Sequence, residues 1–167
     1  LKDNLKNKKI LIYGYGKSGQ ASFKYLKKNN KISIYDDNKK IKKSSISFKK
    51  IRISEFDYIV LSPGIDINKC KLKNYIKKNK RKIVTDLDIF HLNNPKNLKI
   101  TITGTNGKST TAKLLFKILK DQNKDVKLIG NIGIPVLSKS NIKPSTIFVI
   151  EASSYQIDYS QFFKTDY

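Results

Sequence analysis

The sequence is poor in the two residue types that most often bind zinc or form crosslinks. Cys70 is its only cysteine and His91 its only histidine. A single thiol cannot form an intramolecular disulfide, and one thiol with one imidazole cannot supply the ligand set of a structural zinc site. We therefore expect Cys70 and His91 to be structural bystanders, and disulfide-stabilised and zinc-ribbon classes of protein are excluded.

Long apolar runs are also lacking. No stretch approaches the roughly 20 apolar residues that a membrane-spanning helix needs. The lysine-rich start has no apolar signal core before Leu11, which argues against a secretory leader. We therefore expect a cytoplasmic protein without a membrane partner, and we expect it to be a monomer.

Acidic residues are scarce, since 13 aspartates and glutamates stand against 35 lysines and arginines, and the formal net charge is +22. Such a charge raises the hypothesis of nucleic-acid binding, because counterions displaced from a phosphate backbone add affinity. However, only Arg52 and Arg81 are arginines, the residue that base readout and bidentate phosphate contacts favour. The lysines are spread over the whole length. We expect a solvated basic surface and no nucleic-acid partner, and a lysine-rich nucleic-acid-binding protein remains an alternative.

Glycine is infrequent, with eight residues, but it is clustered after apolar runs. The first run, residues 8–13, leads into Gly14-Tyr15-Gly16-Lys17-Ser18-Gly19. A helix over residues 20–28 and a strand over residues 31–35 are predicted to follow, and Asp36-Asp37 ends that strand about 20 residues after the first glycine. This order is typical of a Rossmann-type nucleotide site, in which glycines permit a tight turn against a phosphate.

The glycine turn does not by itself identify the nucleotide. The same pattern fits a NAD-dependent dehydrogenase, a flavin enzyme or a Rossmann-like domain that binds another nucleotide. Asp36 would contact ribose or base edges in any of them. A NAD-dependent oxidoreductase that uses Gly14, Gly16 and Gly19 is therefore retained as an alternative.

The rest of the first half alternates short apolar runs with polar or amphipathic segments. We predict a loop over residues 39–50, with one short strand around residues 47–53, and then a strand over 56–61. An amphipathic helix is predicted over 68–79, with Leu72, Tyr75 and Ile76 facing inward. A strand over 82–84 and a short helix from Thr85 are predicted to follow. The turn Ser62-Pro63-Gly64-Ile65 follows the strand over 56–61. In open parallel sheets that edge is where ligands bind.

The alternation of strands and helices predicts an α/β protein with a Rossmann-like parallel sheet. Residues 93–97, Asn-Asn-Pro-Lys-Asn, are polar and contain a proline, which predicts a linker. We therefore expect a nucleotide-binding domain over residues 1–92, a linker over 93–97 and the beginning of a second α/β unit over 98–167.

The second unit opens with a glycine loop between a predicted strand and a predicted helix. Its residues 103–110, here named the Gly-Lys-Ser loop, contain Gly104, Thr105, Asn106, Gly107, Lys108, Ser109 and Thr110. Backbone N–H groups in such a loop, together with a helix N-terminus, favour an anionic phosphate. Lys108 would reach the terminal phosphates of ATP, and the Ser109 hydroxyl could bind Mg²⁺.

The loop departs from a strict P-loop, which has four residues between its two glycines. Here two residues separate Gly104 from Gly107, and Ile102 stands where the first glycine of a strict P-loop would be. A strand over residues 146–150 then delivers Glu151 to its carboxyl end. Enzymes of this kind place a metal-binding carboxylate there, so Glu151 is the metal candidate.

These motifs resemble the Mur ligases, ATP-dependent enzymes that form amide bonds in the peptide of the bacterial cell wall. Five segments carry the resemblance, in that family's order and spacing: Gly14 to Gly19, Ser62 to Ile65, Thr103 to Thr110, Gly130-Asn131-Ile132-Gly133 and Glu151-Ala152-Ser153-Ser154-Tyr155-Gln156. The short spacing of the loop glycines is this family's own form. The Ser-Pro-Gly-Ile turn and the Glu-x-Ser-Ser-x-Gln segment are most similar to the members that add D-glutamate.

The resemblance implies three domains, for the UDP part of the substrate, for ATP and for the amino acid. It implies ATP and Mg²⁺ as cofactors and UDP-N-acetylmuramoyl-L-alanine and D-glutamate as substrates. Lys108 is implied as the catalytic cation, and Ser109 and Glu151 as metal ligands. The UDP-substrate site would consist of Gly16, Lys17, Ser18, Asp36, Asp37, Ser62, Pro63, Gly64, Ile65, Asn131, Ser153 and Gln156.

By the same resemblance we expect the 167 residues to be a truncated form that contains the first domain and the start of the second. The fragment alone is expected to lack ligase activity, because the amino-acid site and further metal-binding groups would lie beyond it. It is also expected to leave an open edge on the second sheet and an uncovered apolar face around Ile147 and Val149.

Overall fold

A computed structural model describes residues 5–38, 41, 44–138 and 141–167 of the chain. Part of the loop predicted over residues 39–50 lies outside these ranges. None of the helices in the described ranges has the length and apolar character that crossing a bilayer requires.

The first sheet contains four parallel strands in the order β2-β1-β3-β4. The strands are β1 (Lys9–Tyr13), β2 (Lys31–Tyr35), β3 (Tyr58–Leu61) and β4 (Ile83–Thr85). The helices of this half are α1 (Lys17–Leu26), α2 (Lys73–Lys78) and α3 (Asp86–Asn93). The Rossmann-like parallel sheet expected from the sequence is therefore confirmed.

Strand β1 is the central element of this sheet because both of its faces are apolar. Ile10 and Ile12 pack in one hydrophobic cluster, and Leu11 and Tyr13 pack in another on the opposite face. All four side chains are fully buried. Strands buried on both faces consist of continuous apolar runs, which is why the short run after the lysines forms a strand.

The second sheet contains three parallel strands in the order β5-β7-β6. Its strands are β5 (Lys99–Ile102), β6 (Val126–Gly130) and β7 (Ile147–Glu151), and its helices are α4 (Lys108–Asp121) and α5 (Ser154–Tyr159). The connections β5-α4-β6 and β7-α5 place the Gly-Lys-Ser loop and Glu151 at the same carboxyl edge of the sheet. This arrangement confirms the second α/β unit.

The short strand predicted around residues 47–53 is wrong. That segment forms two 3₁₀ turns, Phe48–Lys50 and Ile53–Glu55. Its backbone bonds are local, since Ile51 N–H donates to the Phe48 carbonyl and Phe56 N–H to the Ile53 carbonyl. The pairing with β2 occurs earlier, where Ser45 forms an isolated bridge with Ile34.

The helix predicted over residues 68–79 is shorter than expected, because only α2 is helical. Leu72 and Ile76 are buried as predicted, but the Tyr75 side chain is 50% exposed. The segment before α2 consists of turns, in which Cys70 N–H donates to the Asp66 carbonyl. Successive residues of a helix lie about 100° apart, so Tyr75 falls outside the side on which its neighbour Ile76 is buried.

The two sheets share one hydrophobic cluster. Phe90 of α3 and Phe148 of β7 make an edge-to-face contact with ring centroids 4.8 Å apart. Ile12 of β1 and Ile150 of β7 belong to the same cluster. In the predicted linker, the Asn97 side-chain amide donates to the carbonyls of Lys143, Pro144 and Thr146 at 2.8, 3.3 and 3.0 Å. The domain boundary at residues 93–97 stays a prediction.

The apolar face expected to be uncovered around Ile147 and Val149 is partly covered instead. Val149 is fully buried, since α4 packs against β7, whereas Ile147 is half-buried. Residues 165–167 pair with the outer side of β5, where Asp166 N–H donates to the Lys99 carbonyl at 2.9 Å. Leu114 and Ile118 of α4 are among the apolar side chains that are exposed, at 58% and 45%.

Candidate functional site

A cleft of about 520 Å³ lies at the carboxyl ends of β1, β2 and β3. Its volume is within the roughly 300–1,000 Å³ of small-molecule sites. Three predicted segments meet there: the turn from Gly14 to Gly19, the acids after β2 and the turn from Ser62 to Ile65. Ten of the predicted UDP-substrate residues line it: Gly16, Lys17, Ser18, Asp36, Asp37, Ser62, Pro63, Gly64, Ile65 and Asn131.

The glycine turn requires two of its glycines for different reasons. Gly14 has a φ of +92°, a conformation that side chains disfavour. Gly19 lies in the first turn of α1, where a Cβ atom would come within 2.0 Å of the Gly14 carbonyl oxygen. The Ser62 hydroxyl donates to that same oxygen at 2.7 Å. The two turns that form the cleft are therefore held against each other at Gly14.

The N-terminus of α1 points its positive end toward the cleft. Gly16 is the N-cap residue and supplies no side-chain cap, and the first turn of α1 carries no acidic residue. Unbonded N–H groups and the helix dipole favour an anion at such a position. Lys17 and Lys69 also line the cleft. This end of the cleft is therefore suited to a phosphate group.

The two acids after β2 have different environments. Asp36 accepts hydrogen bonds from the backbone N–H groups of Tyr15 at 2.6 Å and Asn38 at 2.9 Å, so it braces the glycine turn. Asp37 Oδ2 accepts a bond from the Tyr13 hydroxyl at 2.7 Å. Asp37 Oδ1 is buried and has no hydrogen-bond partner among the described residues. Asp37 also lines the cleft, so its carboxylate is a candidate acceptor for a ligand with N–H or O–H groups.

The aromatic groups beneath the cleft stay neutral. Burial raises the pKa of Tyr13 well above its usual range, and the hydrogen bond to Asp37 raises it further. Burial also raises the pKa of Tyr35 to about 12, with a further contribution from Asp37. Burial raises the pKa of the Cys70 thiol as well. Tyr13 therefore remains a hydrogen-bond donor to Asp37 at neutral pH.

A loop from the second sheet forms one wall of the cleft. Gly130 ends β6 with a φ of +113°, and a Cβ atom there would meet the Glu151 carbonyl oxygen at 2.1 Å. Asn131 N–H donates to that oxygen at 3.0 Å. Asn131, Gly133 and Pro135 face the cleft. The loop after β6 thus contacts both the cleft and the end of the strand that carries Glu151.

The Gly-Lys-Ser loop has the backbone that its glycines predict. Gly104 and Gly107 have φ values of +139° and +75°, and Gly107 is the N-cap of α4. Lys108 Nζ donates to the carbonyls of Gly104 at 2.5 Å and Thr105 at 3.2 Å. The ammonium group therefore lies over the loop, beside the helix N-terminus that favours phosphate.

The predicted metal ligands are in direct contact. The Ser109 hydroxyl donates to Glu151 Oε2 at 2.7 Å, although the two residues are 42 positions apart. Hydroxyl and carboxylate oxygens are the hard ligands that Mg²⁺ prefers, so the pair fits this ion. No group of three or more His, Cys, Asp and Glu side chains could hold a metal within the part of the chain that the structure describes. Ser109 and Glu151 would supply part of a coordination shell.

Ser153 and Gln156 are not brought into the cleft. They form a capping box at the start of α5, in which Gln156 N–H donates to Ser153 Oγ at 3.2 Å and Ser153 N–H donates to Gln156 Oε1 at 3.0 Å. The Gln156 side chain is buried and also donates from Nε2 to Asp86 Oδ1 at 3.1 Å. Its amide is occupied inside the protein.

The buried acids Asp86 and Asp88 are functional candidates that sequence reasoning did not assign. Thr85 and Asp88 form a capping box at the start of α3. The pattern Thr-x-x-Asp before an apolar run is a known signature of a helix start and could have marked Asp88. Nothing local in the sequence marks Asp86, whose partner Gln156 is 70 positions away.

We expect the titration of Asp86 to make stability depend on pH. Burial raises the pKa of Asp86 to about 6 from 3.8, although the hydrogen bond from Gln156 opposes the rise, and the Asp88 carboxylate is a further charge nearby. The folded state therefore binds the proton more tightly, and this stabilisation is full below about pH 4 and lost as pH rises through about 6. The Asp86→Asn variant should not titrate. Relative to wild type, its free energy of unfolding should be larger at pH 7 than at pH 4 by about 2–3 kcal/mol, because only wild type loses stability as pH rises.

Urea denaturation of both proteins at the two pH values measures this difference, and any effect of the substitution that does not depend on pH cancels. An equal difference between variant and wild type at pH 4 and pH 7 would contradict the assignment of a raised pKa to Asp86.

A parallel sheet with a Rossmann-type glycine turn, followed by a second parallel sheet with a Gly-Lys-Ser loop, is an architecture typical of nucleotide-binding α/β proteins. Comparison with known families specifies the class further, because residues 102–167 match the Mur ligase middle domain. Together with the relatives described next, this match shows that the chain is similar to the Mur ligases over nearly its whole length.

Several relatives match nearly the whole chain, and each carries the name "UDP-N-acetylmuramoylalanine--D-glutamate ligase". The protein from Francisella philomiragia is 38% identical over 93% of this chain. Those from Caldicellulosiruptor bescii and Oenococcus oeni are 33% and 36% identical over 96% and 92%. The matches cover 36%, 38% and 35% of these relatives, so the chain spans a little over a third of their length.

Proposed function

We propose that this chain carries the UDP-substrate site and the phosphate loop of an ATP-dependent ligase that adds D-glutamate to UDP-N-acetylmuramoyl-L-alanine in peptidoglycan synthesis. One observation carries the proposal: the segment after β6 joins two nucleotide-type sites. Asn131 faces the cleft and bonds to the backbone of Glu151, and the Glu151 carboxylate accepts the hydroxyl bond from Ser109. A substrate held in the cleft would therefore extend toward the ATP phosphates.

The cleft has groups suited to each part of a UDP moiety. The diphosphate would lie against the N-terminus of α1, near Lys17 and Ser18, where N–H groups and positive charge stabilise an anion. The carboxylate of Asp37, which lines the same cleft, would accept a hydrogen bond from the uridine. Both groups belong to one continuous cleft, which supports a nucleotide rather than an isolated phosphate.

The phosphate loop would bind ATP at the other end of the substrate. Lys108 would neutralise charge on the transferring phosphoryl group, and Ser109 with Glu151 would hold Mg²⁺, which supplies further positive charge between phosphate oxygens. Preorganised cations matter because a carboxylate attacking a phosphate brings negative groups together. Lys108 and Ser109 are adjacent at the start of α4, so both can act on one phosphate chain.

The proposed reaction has two steps. A carboxylate oxygen of UDP-N-acetylmuramoyl-L-alanine attacks the γ-phosphorus of ATP, the bond to the β,γ-bridging oxygen breaks, and ADP leaves. The amine nitrogen of D-glutamate then attacks the acyl carbon through a tetrahedral intermediate. The carbon–oxygen bond to phosphate breaks, phosphate leaves, and the amine loses its proton as the amide forms.

A panel of four ligands tests the proposal on the purified chain: UDP-N-acetylmuramoyl-L-alanine, ATP with Mg²⁺, NAD and duplex DNA, each titrated at moderate salt. We expect saturable binding of the first two with one site each. Saturation by NAD in place of the uridine nucleotide would favour the oxidoreductase alternative, in which the Gly-Lys-Ser loop has no task. Tight, salt-sensitive DNA binding with indifference to both nucleotides would favour the nucleic-acid alternative.

A further inference from the structure

The first turn of α3 holds both ends of α5. Near the start of α5, Gln156 Nε2 donates to Asp86 Oδ1 at 3.1 Å. After its end, the hydroxyls of Thr85 and Ser160 are 2.8 Å apart. We name these contacts, together with those of Asp88 to residues 161–163, the α3–α5 latch. The latch joins the first sheet's last helix to the segment that follows Glu151.

The half of the latch around Asp88 is a structural clamp. Its Oδ1 accepts the backbone N–H groups of Gln161, Phe162 and Phe163 at 3.0, 2.7 and 2.9 Å. Its Oδ2 accepts Thr85 N–H at 2.8 Å. Asp88 is fully buried, and its bonds end on backbone that leads away from the metal candidates. This half fixes where the chain goes after α5.

The half around Asp86 leads toward the metal candidates instead. Gln156, which donates to Asp86, accepts the Ser153 N–H at 3.0 Å and the Ser153 hydroxyl at 3.3 Å through Oε1. Ser153 is two residues after Glu151, and between them Ala152 N–H donates to the Ile102 carbonyl at 3.2 Å. A chain of hydrogen bonds therefore runs from Asp86 through Gln156 to Ser153, and Ser153 is joined through Ala152 to the residue that carries the carboxylate, Glu151.

We infer that Asp86 is a positioning residue for the Mg²⁺ site, acting through Gln156 and Ser153 on the backbone that directs the Glu151 carboxylate toward Ser109. The inference rests on the proposed function, from which it takes the metal. It gives Gln156 a role that differs from substrate contact, since both polar atoms of its amide are occupied and the side chain is only 2% exposed. A residue of α3, in the first half of the chain, would thus help to set metal affinity at the edge of the second sheet.

An exchange of donor and acceptor between Asp86 and Gln156 tests this role of the hydrogen bonds from Asp86 through Gln156 to Ser153. Gln156→Glu replaces the donor to Asp86 with a second carboxylate, so the two groups repel and the strand end shifts. Asp86→Asn combined with Gln156→Glu restores a pair in which the amide donates to the carboxylate, with the total charge of the wild type. The matched control is Ser160→Ala. It removes the contact with Thr85 at the other end of α5 and leaves the hydrogen bonds among Asp86, Gln156 and Ser153 in place.

Binding of ATP to the 167-residue chain is measured while Mg²⁺ is varied, and binding of UDP-N-acetylmuramoyl-L-alanine is measured in parallel. Groups that orient metal ligands typically change metal affinity about 10–100-fold when replaced. We expect Gln156→Glu to weaken the apparent Mg²⁺ affinity at least about 10-fold. The double variant should recover most of this loss, and Ser160→Ala should match wild type. Uridine-nucleotide binding should stay unchanged in all of them.

The outcomes separate the two claims. A wild-type chain that binds ATP without any dependence on Mg²⁺ would contradict the proposed metal site itself. Normal Mg²⁺ dependence in wild type and in folded Gln156→Glu would overturn the positioning role alone, and so would a double variant that remains as weak as the single one. If Gln156→Glu does not fold, Asp86→Ala takes its place, because it removes the acceptor without adding a charge, and the same loss is expected.

Discussion

Lys108→Ala is expected to remove phosphate transfer while leaving the uridine nucleotide bound. The Lys108 ammonium lies over the Gly-Lys-Ser loop, held by the carbonyls of Gly104 and Thr105, and it is the only side-chain cation of that loop. Removing one preorganised charge-stabilising group from a transfer site costs about 10²–10³ in rate. In protein of the relatives' length, D-glutamate-dependent phosphate release should therefore fall on the order of 10²–10³-fold.

In the 167-residue chain, the same substitution should weaken binding of ATP with Mg²⁺ and leave binding of UDP-N-acetylmuramoyl-L-alanine unchanged, because the cleft does not include Lys108. Lys113→Ala is the matched control, since Lys113 is an exposed lysine of the same helix with the same charge. Near-normal phosphate release from Lys108→Ala would show that Lys108 has no role in the mechanism. An equal loss of phosphate release in Lys113→Ala would show that the effect comes from the change in net charge alone.

Of the substitutions proposed for this protein, Asp88→Ala is expected to cause the largest loss of stability. The Asp88 carboxylate is fully buried and accepts three consecutive backbone N–H groups of residues 161–163, besides Thr85 N–H. Removing one side of a buried charged contact leaves its donors unsatisfied, which costs about 3–5 kcal/mol. The free energy of unfolding from urea denaturation should fall by about that amount.

Asp57→Ala is the control for this substitution. Asp57 also accepts a backbone N–H, that of Lys9 at 2.8 Å, but the contact is exposed to solvent. Its loss should cost about 1 kcal/mol or less, because water replaces the missing acceptor. If the two substitutions lower the free energy of unfolding equally, burial of the Asp88 carboxylate adds nothing to stability. That result would contradict the structural role given to the contacts of Asp88 with residues 161–163.

The elements that could be predicted from the sequence are those determined by local chemistry. β1 is a continuous apolar run before a glycine turn, and such a run is buried on both faces of a parallel sheet. Gly14 and Gly107 have the positive φ angles that their turns require. The contact between Ser109 and Glu151 also follows, because the carboxyl ends of parallel strands share one edge of a sheet.

The elements that could not be predicted depend on partners far along the chain. Gln156 stands in a segment that resembles a substrate site, yet its amide bonds to Asp86, and no local pattern indicates that contact. Around Ile51 and Ile53, apolar and polar residues alternate as they do in a strand. The backbone of this segment nevertheless forms hydrogen bonds within two local 3₁₀ turns. Tyr75 is exposed because only one side of α2 is buried, and that side contains the neighbouring residue Ile76.

The shared cluster between the two sheets bears on how the protein could be divided. A cut before Asn97 would separate Phe148 from Phe90 and would divide the cluster that contains Ile12 and Ile150. Each half would then present an apolar face to water, which favours aggregation. The nucleotide cleft would also lose the wall that contains Asn131. The first 92 residues are thus expected to be a poor substitute for the 167-residue chain in ligand-binding work, even though they contain every strand of their own sheet.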